Sequence, residues 1–249
     1  MYLKSYFIQV AKNIIIRFPK RVIRFFEFLS EYRKFKSRND NRLTMNFSEI
    51  HPCLKDKTEK TPFDRHYVYH PAWAARILSQ TKPMYHVDIS SILSFGAIVS
   101  AFIPIKFYDY RPADLMLENY NAGKADLKKL EFPNDSIPSL SCMHTIEHIG
   151  LGRYGDEIDP GGDIIAINEL QRVTRKGGDI LFVTPIGKPM IQFNGQRVYS
   201  KEQVIQYFSE CNLIEFSIIP DRGAMIREPD QNTIHSQKYA CGCFWFKKK

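Results

Sequence analysis

The sequence predicts an α/β protein with a mostly parallel sheet and helices on both faces, preceded by a basic amphipathic helical arm. Three observations predict it. From Pro71 onward, short apolar runs alternate with segments of helical periodicity. Three of the early strand-like runs end in an acid, at Asp88, Asp109 and Asp126. The excess positive charge is confined to one end of the chain.

The elements follow in order. Pro71 suits the first turn of a helix, which is expected to run to about Gln80. Tyr85 to Ile89 is a short apolar strand, and Ile92 to Ala101 a small apolar helix. Ile105 to Asp109 is a second strand, a weak third ends at Lys124-Ala-Asp126, and Ser139 to Met143 is a fourth. Ile164, Ile167, Leu170 and Val173 line one face of a helix from about Asp163 to Arg175, with Gly177-Gly178 as its expected stop. Asp179 to Val183 is a fifth strand. Ser200 caps a helix from Lys201 to Glu210. Leu213 to Ile219 and Tyr239 to Phe246 are the last two strands. The expected organisation is an arm over 1–42, a linker over 43–63 and the main domain over 64–249.

The 249 residues, 44% hydrophobic and 25% charged, can bury a sizeable core. The net charge is +8, and Met1 to Arg42 holds eleven Lys or Arg against three Asp or Glu. The rest of the chain is therefore neutral. A nucleic-acid groove needs basic residues spread over the fold, so no nucleic-acid partner is expected. Five scattered cysteines, Cys53, Cys142, Cys211, Cys241 and Cys243, fit a reducing compartment. Cys241-Gly-Cys243 lies in a strand-like run that is expected to direct the two thiols to opposite faces, and the spacing is not that of a zinc half-site.

In the arm, Phe18, Val22, Phe25, Leu29 and Tyr32 recur at helical spacing, with Arg17, Lys20, Arg21 and Arg24 on another face. Pro19 kinks this helix or restarts it after Phe18. The longest aliphatic run, Ile14-Ile15-Ile16, falls far short of the ~20 residues of a membrane span. Two readings stand equally: a helix lying on an anionic cytoplasmic membrane surface, or one packed on protein. The expected location is cytoplasmic, peripheral on the inner face of the membrane under the first reading. Lys55-Asp-Lys-Thr-Glu-Lys60 belongs to the polar linker.

Ligands of open α/β sheets bind beyond the carboxyl ends of the strands. The acids there carry a resemblance. Val87-Asp-Ile-Ser90, Tyr108-Asp109, Lys124-Ala-Asp-Leu127 and Leu130-Glu-Phe-Pro-Asn-Asp-Ser136 together resemble the class I S-adenosylmethionine (SAM)-dependent methyltransferases. So do Met143-His-Thr-Ile-Glu-His-Ile149 and Asn168-Glu-Leu-Gln-Arg-Val-Thr-Arg-Lys-Gly-Gly178 before Ile180-Leu-Phe-Val-Thr-Pro185. The likeness spans roughly Asp64 to Phe246. The stretch Glu147-His-Ile-Gly-Leu-Gly-Arg-Tyr-Gly-Asp156 resembles an uncharacterised branch associated with bacterial surface-polysaccharide genes.

The resemblance implies a Rossmann-like fold and SAM as cofactor. Asp109 would hold the ribose, Asp126 with Leu127 would frame the adenine, and the turn at Asp88, Ser90 and Ser91 would meet the methionine end. Ser90 and Ser91 stand where the family has glycine for close backbone approach. Their hydroxyls can bond the cofactor carboxylate or crowd it, and the second outcome would leave a non-catalytic scaffold.

Two motifs compete with this reading. His144-Thr-Ile-Glu-His148 matches the zinc-peptidase pattern H-x-x-E-H, but Gly150 and Gly152 deny it the sustained helix that chemistry needs, and no metal is expected. Gly150-Leu-Gly-Arg-Tyr-Gly155 matches G-x-G-x-x-G, yet it does not leave a strand directly, and reads as a loop over the site. His144, then His148, are the candidate general bases, with Asp156 beside them. Arg153 and Tyr154 are candidates for holding a polar or phosphorylated acceptor, and a loop merely salt-bridged to Asp156 is the alternative. The resemblance implies methylation of a hydroxyl on a sugar or glycan precursor.

Overall fold

The computed structural model describes residues 20–89 and 91–249. Ile14-Ile15-Ile16, Arg17, Phe18, Pro19 and Ser90 of the expectations above lie outside the described residues. The chain forms two compact units, Met1–Phe63 and Asp64–Lys249.

In the first unit a helix, α1, runs over 20–36. Val22, Ile23, Phe25, Phe26 and Phe35 are exposed on it. The segment expected as a linker folds back on this helix. Phe47 meets Tyr32 edge-on at 5.7 Å, Arg24 donates to the Leu54 carbonyl at 2.9 Å, and Lys57 pairs with Glu31. No helix of the described residues is long and apolar enough to cross a membrane.

In the second unit an eight-stranded sheet has the order β3-β2-β1-β4-β5-β10-β8-β9. Its strands are β1 (His86–Ile89), β2 (Ile105–Asp109), β3 (Tyr120–Lys124), β4 (Ile137–Met143), β5 (Thr174–Ile186), β8 (Cys211–Ile219), β9 (Ile226–Arg227) and β10 (Ala240–Lys248). β6 (Met190–Gln192) and β7 (Gln196–Val198) form a separate hairpin. β1, β2, β3, β4 and β5 pair in parallel, whereas β10 runs antiparallel between β5 and β8. The order reverses between β1 and β4, the place where such sheets bind ligands.

Helices cover both faces. α4 (Gly162–Val173) and α5 (Lys201–Tyr207) bury Ala166, Ile167, Leu170 and Val204 against Leu140, Ile180 and Phe182. α2 (Arg65–Thr81) and α3 (Leu93–Val99) bury Trp73, Ile77, Phe95 and Val99 against Ile105, Leu181 and Val183. Neighbouring residues of β5 thus alternate between two cores, as the two-residue period of a strand requires. A short helix, α6 (Gln231–His235), precedes β10.

Three expectations change. α2 starts at Arg65 rather than Pro71, because the Asp64 side chain accepts from the Tyr67 N–H and caps the helix. Pro71 sits inside it and leaves one backbone bond unmade. The buried set His70, Trp73, Ala74, Ile77 and Leu78 still falls on one helical face. At the other end, α4 stops at Val173, and Gly177-Gly178 lies within β5. Pairing of Thr174 with Ile137 draws the chain straight into the sheet. Finally, Cys241 and Cys243 share a face: their sulfurs are 3.9 Å apart and both are fully buried, since strand residues two apart point the same way.

The Glu169 and Arg172 side chains of α4 fasten the 130–134 loop beside the acid-bearing strand ends. Arg172 Nε and Nη2 donate to the two Glu169 oxygens at 2.6 and 2.7 Å, and its other bonds reach the Leu130 and Phe132 carbonyls and Asn134. Glu169 Oε2 accepts from the Leu130 N–H at 2.8 Å. Arg172→Ala is expected to cost roughly 2–4 kcal/mol in urea unfolding, and Arg172→Lys to recover under half of it, because an ammonium cannot reproduce the fork. A loss below about 0.5 kcal/mol for Arg172→Ala would contradict the fastening role.

Candidate functional site

Beyond the carboxyl ends of β2, β3 and β4 the chain leaves a cleft of about 370 Å³. Asp109 ends β2, Asp126 and Leu127 follow β3, His144 and His148 follow β4, and Tyr154 and Asp156 come from the loop after it; all seven line the cleft. Arg111 and Lys128 join them. A wider depression over 112–122 has about 770 Å³ but contains no histidine. The narrower cleft is the one with convergent polar groups, the mark of a binding site.

The two acids are held alike. Asp109 Oδ1 accepts from the Arg111 N–H at 2.7 Å, and Asp126 Oδ1 from the Lys128 N–H at 2.9 Å. Each turn thereby fixes one oxygen, and among the described residues no hydrogen bond engages the other.

Asp88 lies elsewhere. It is fully buried, accepts from Ser141 Oγ at 2.5 Å, and is also bonded by Ser91. Burial drives its pKa up to about 7 against the pull of those two hydroxyls. Ser141 in turn meets His86 Nε2 at 2.8 Å, and Ser139 meets His86 Nδ1 at 2.8 Å. Ser91 Oγ accepts from the Met143 N–H at 3.1 Å. Asp88 and Ser91 thus brace β1 against β4 and do not line the cleft.

His144 adopts a left-handed backbone, φ 57°, which costs a non-glycine residue of order 1–3 kcal/mol. Its Nδ1 is 2.8 Å from Glu147 Oε1, and Nε2 is buried with no partner. His148 Nδ1 is 2.7 Å from the Gly195 carbonyl. Arg153 Nη1, which only donates, also lies 3.2 Å from this nitrogen, but the shorter contact is with a carbonyl, which only accepts; Nδ1 therefore carries the proton and Nε2 keeps the lone pair. Burial lowers the His148 pKa, with the Arg153 guanidinium helping and Glu147 opposing.

The loop from Gly150 to Asp159 is built around Asp156, whose oxygens accept from the N–H groups of Gly150, Gly152 and Tyr154. Burial pushes this carboxyl up, but those bonds outweigh it and hold the pKa low. Asp156 therefore closes the loop. Arg153 also donates to the Gly195 carbonyl at 3.0 Å, and the guanidiniums of Arg111 and Arg153 lie 4.9 and 5.1 Å from the Tyr154 ring.

Arg197 was not singled out by the sequence. It is 4% exposed, donates to the carbonyls of Ile149 and Pro160 at both roots of the loop, and sits 3.5 Å from Asp163. No spacing signal links it to residues 34 or more positions away, so only the fold reveals it.

Solved structures share this fold. An N-methyltransferase, NodS from Bradyrhizobium japonicum WM9 in complex with S-adenosylhomocysteine, matches with a TM-score of 0.53 at 13% identity, over 76% of this chain and 89% of that one. The 1,6-didemethyltoxoflavin-N1-methyltransferase of Burkholderia thailandensis, with 1,6-didemethyltoxoflavin and S-adenosylhomocysteine bound, gives 0.53 at 8% identity, over 73% and 79%. The MccD protein gives 0.52 at 11%, over 73% and 97%. The fold is the Rossmann-like fold of methyltransferases. A family model described as "Caenorhabditis protein of unknown function, DUF268" matches residues 128–222, which hold the cleft loop, α4 and β5. No curated protein matches the chain.

Proposed function

We propose that the chain is a SAM-dependent methyltransferase acting on a hydroxyl of a sugar or glycan precursor. One observation carries the reading: Asp109 and Asp126, at successive strand ends, line one cleft, each with one oxygen tied to a local N–H and the other unengaged among the described residues. That donor set fits a ribose diol at Asp109 and an exocyclic amine at Asp126, with Leu127 against the ring. SAM supplies a methyl group on a sulfonium, an electrophile with a neutral leaving group. The protein then has to align the acceptor and take its proton.

His148 is the proposed base, since its Nε2 holds the lone pair while Gly195 fixes the ring. His144 serves less well because its Nε2 is buried. Tyr154, flanked by Arg111 and Arg153, suits an acceptor that carries phosphate. The arm would keep the enzyme near lipid-linked precursors. Removal of 1–42 should then abolish sedimentation with vesicles containing anionic lipid, and unchanged sedimentation would remove the membrane from the proposal.

Calorimetric titration with SAM and with S-adenosylhomocysteine tests the core of the reading. Wild-type protein is expected to bind, and Asp109→Ala to bind about 100-fold more weakly, the equivalent of losing charge-assisted bonds to two hydroxyls. Failure of the wild-type protein to bind either compound would sink the proposal. It would favour a non-catalytic scaffold in a glycan-assembly complex, a reading supported by the inward engagement of Ser91 with Asp88 and Met143.

A further inference from the structure

A second set of side chains converges behind His144. His66 and His70 lie one turn apart on α2, His144 follows β4, and Cys241 is on β10. One donor atom from each of His66, His144 and Cys241 lies within 4.8 Å of the other two. Donors around a tetrahedral zinc ion stand ~3.5 Å apart, given bond lengths of about 2.0 Å to nitrogen and 2.3 Å to sulfur. A closure of roughly 1 Å separates the observed positions from that geometry.

The hydrogen bonds show which atoms are available. His70 Nδ1 is 2.6 Å from the His66 carbonyl, so it must donate, and its Nε2 is left with a lone pair. His144 Nδ1 faces Glu147 and likewise leaves Nε2 bare. Both Nε2 atoms are buried without a partner, and the two rings are 5.1 Å apart. The His66 ring stacks on His144 at 5.4 Å. Two buried acceptors on neighbouring rings, with no donor to serve either, are a costly defect unless something positive lies beside them. Water could donate to one or both, but the thiol of Cys241 and the carboxylate behind His144 point to a different occupant. A carboxylate that fixes the far nitrogen of an imidazole is the usual support of a metal-bound histidine.

We infer that His66, His144 and Cys241 bind a zinc-class divalent cation. Mixed imidazole and thiolate donors select such ions over magnesium or calcium. Cys241 is buried and protonated in the ion's absence. Binding would release its proton to solvent and form the sulfur–metal bond in its place. The left-handed turn at His144 gains a purpose, since it carries the imidazole from the end of β4 toward α2. His148 has no part in the set. The pair in H-x-x-E-H is split, one ring toward α2 and the other toward Gly195.

The full chain, purified without chelator, is expected to carry about one equivalent of zinc by mass spectrometry. After removal of that metal, titration with Co²⁺ should produce tetrahedral d–d absorption and a thiolate-to-cobalt charge-transfer band. The charge-transfer band should vanish in Cys241→Ser, and Co²⁺ affinity should fall at least tenfold in His66→Ala and 10–100-fold in Glu147→Gln. His235→Ala, a change on exposed α6, should leave both unchanged. Wild-type protein with no cobalt spectrum would overturn the inference without recourse to any variant. So would cobalt binding that survives both His66→Ala and Cys241→Ser, or binding lost in His148→Ala, which would return the ion to the sequence motif. SAM binding reads out separately, so failure of the metal site and failure of the methyltransferase reading are distinguishable.

Discussion

Replacing Gly150 with alanine is expected to remove the loop that walls the cleft. The residue has φ +75°, and a Cβ there would stand 2.0 Å from the Asp159 carbonyl oxygen. That contact is with backbone, which cannot swing aside as a flexible side chain can. The same residue already donates to Asp156 and accepts from the Asp159 N–H. Relief of the clash therefore requires giving up the bonds that close the loop. The combined loss is expected to reach about 3–5 kcal/mol in denaturant unfolding, and SAM titration should show at least a tenfold weaker site. Gly155→Ala provides the comparison. Its φ is +83° but a Cβ would meet nothing within 4 Å, so only the backbone cost of about 1–2 kcal/mol applies. Equal losses in the two variants would show that conformational strain, and not the approach to Asp159, governs this loop.

The second large effect concerns pH. Asp88 has its pKa raised to about 7, against ~3.9 in an unfolded chain. The folded state therefore holds a proton that the unfolded state has shed. Its contribution to stability is fully present below pH ~4 and is lost as pH rises to about 7, a change of roughly 4 kcal/mol. His86, fully buried, is lowered to about 3 from ~6.5. Here the unfolded state gains the proton first. That contribution is complete above pH ~6.5 and is lost as pH falls toward 3, by a similar amount. Through Ser141 the two groups sit in one network, and their slopes oppose each other between pH 4 and 6.5.

Asp88→Asn should unbalance them. The variant should match wild-type stability near pH 4, exceed it increasingly up to about pH 7, at about 1.4 kcal/mol per pH unit, and level off above that. His86→Gln should gain on wild type in the other direction, as pH falls below 6.5. Urea unfolding at half-unit pH intervals reads both differences. A variant-minus-wild-type difference for Asp88→Asn that stays flat from pH 4 to 7.5 would mean that Asp88 titrates like an exposed carboxylate.

Much of the fold was legible because its signals are local. The apolar runs at His86–Ile89, Ile105–Asp109 and Ile137–Met143 have strand length and an acid or turn at their ends, and Ser200 with Gln203 forms a capping box visible in four residues. What escaped depends on distant partners. Thr174 to Gly178 looks like a helix end until Ile137 pairs with Thr174. Arg65 to His70 falls before the helix start that Pro71 suggests, until Asp64 caps the helix and His70 finds the core.

The site divides in the same way. Asp109, Asp126, Leu127, His144, His148, Tyr154 and Asp156 line one cleft because the strand ends carry them there. Asp88 and Ser91 turn inward because Ser141 and the Met143 N–H offer them buried partners across 50 residues of chain. Reading Cys241 and Cys243 onto opposite faces hides the convergence of Cys241 with His66 of α2 and His144 beyond β4.

The position of β10 has a consequence for biogenesis. Residues 240–248 lie between β5 and β8 and satisfy the edges of both. While the chain is being translated, β1 to β5 can pair as they emerge, but β5 and β8 each keep a bare, apolar edge until residues 240–248 leave the ribosome. The nascent protein therefore passes through an interval in which most of its core is synthesised and none of it is sealed. Through that interval its dependence on chaperones should be greatest, and a stall or truncation before residue 240 should yield aggregate instead of a smaller folded domain.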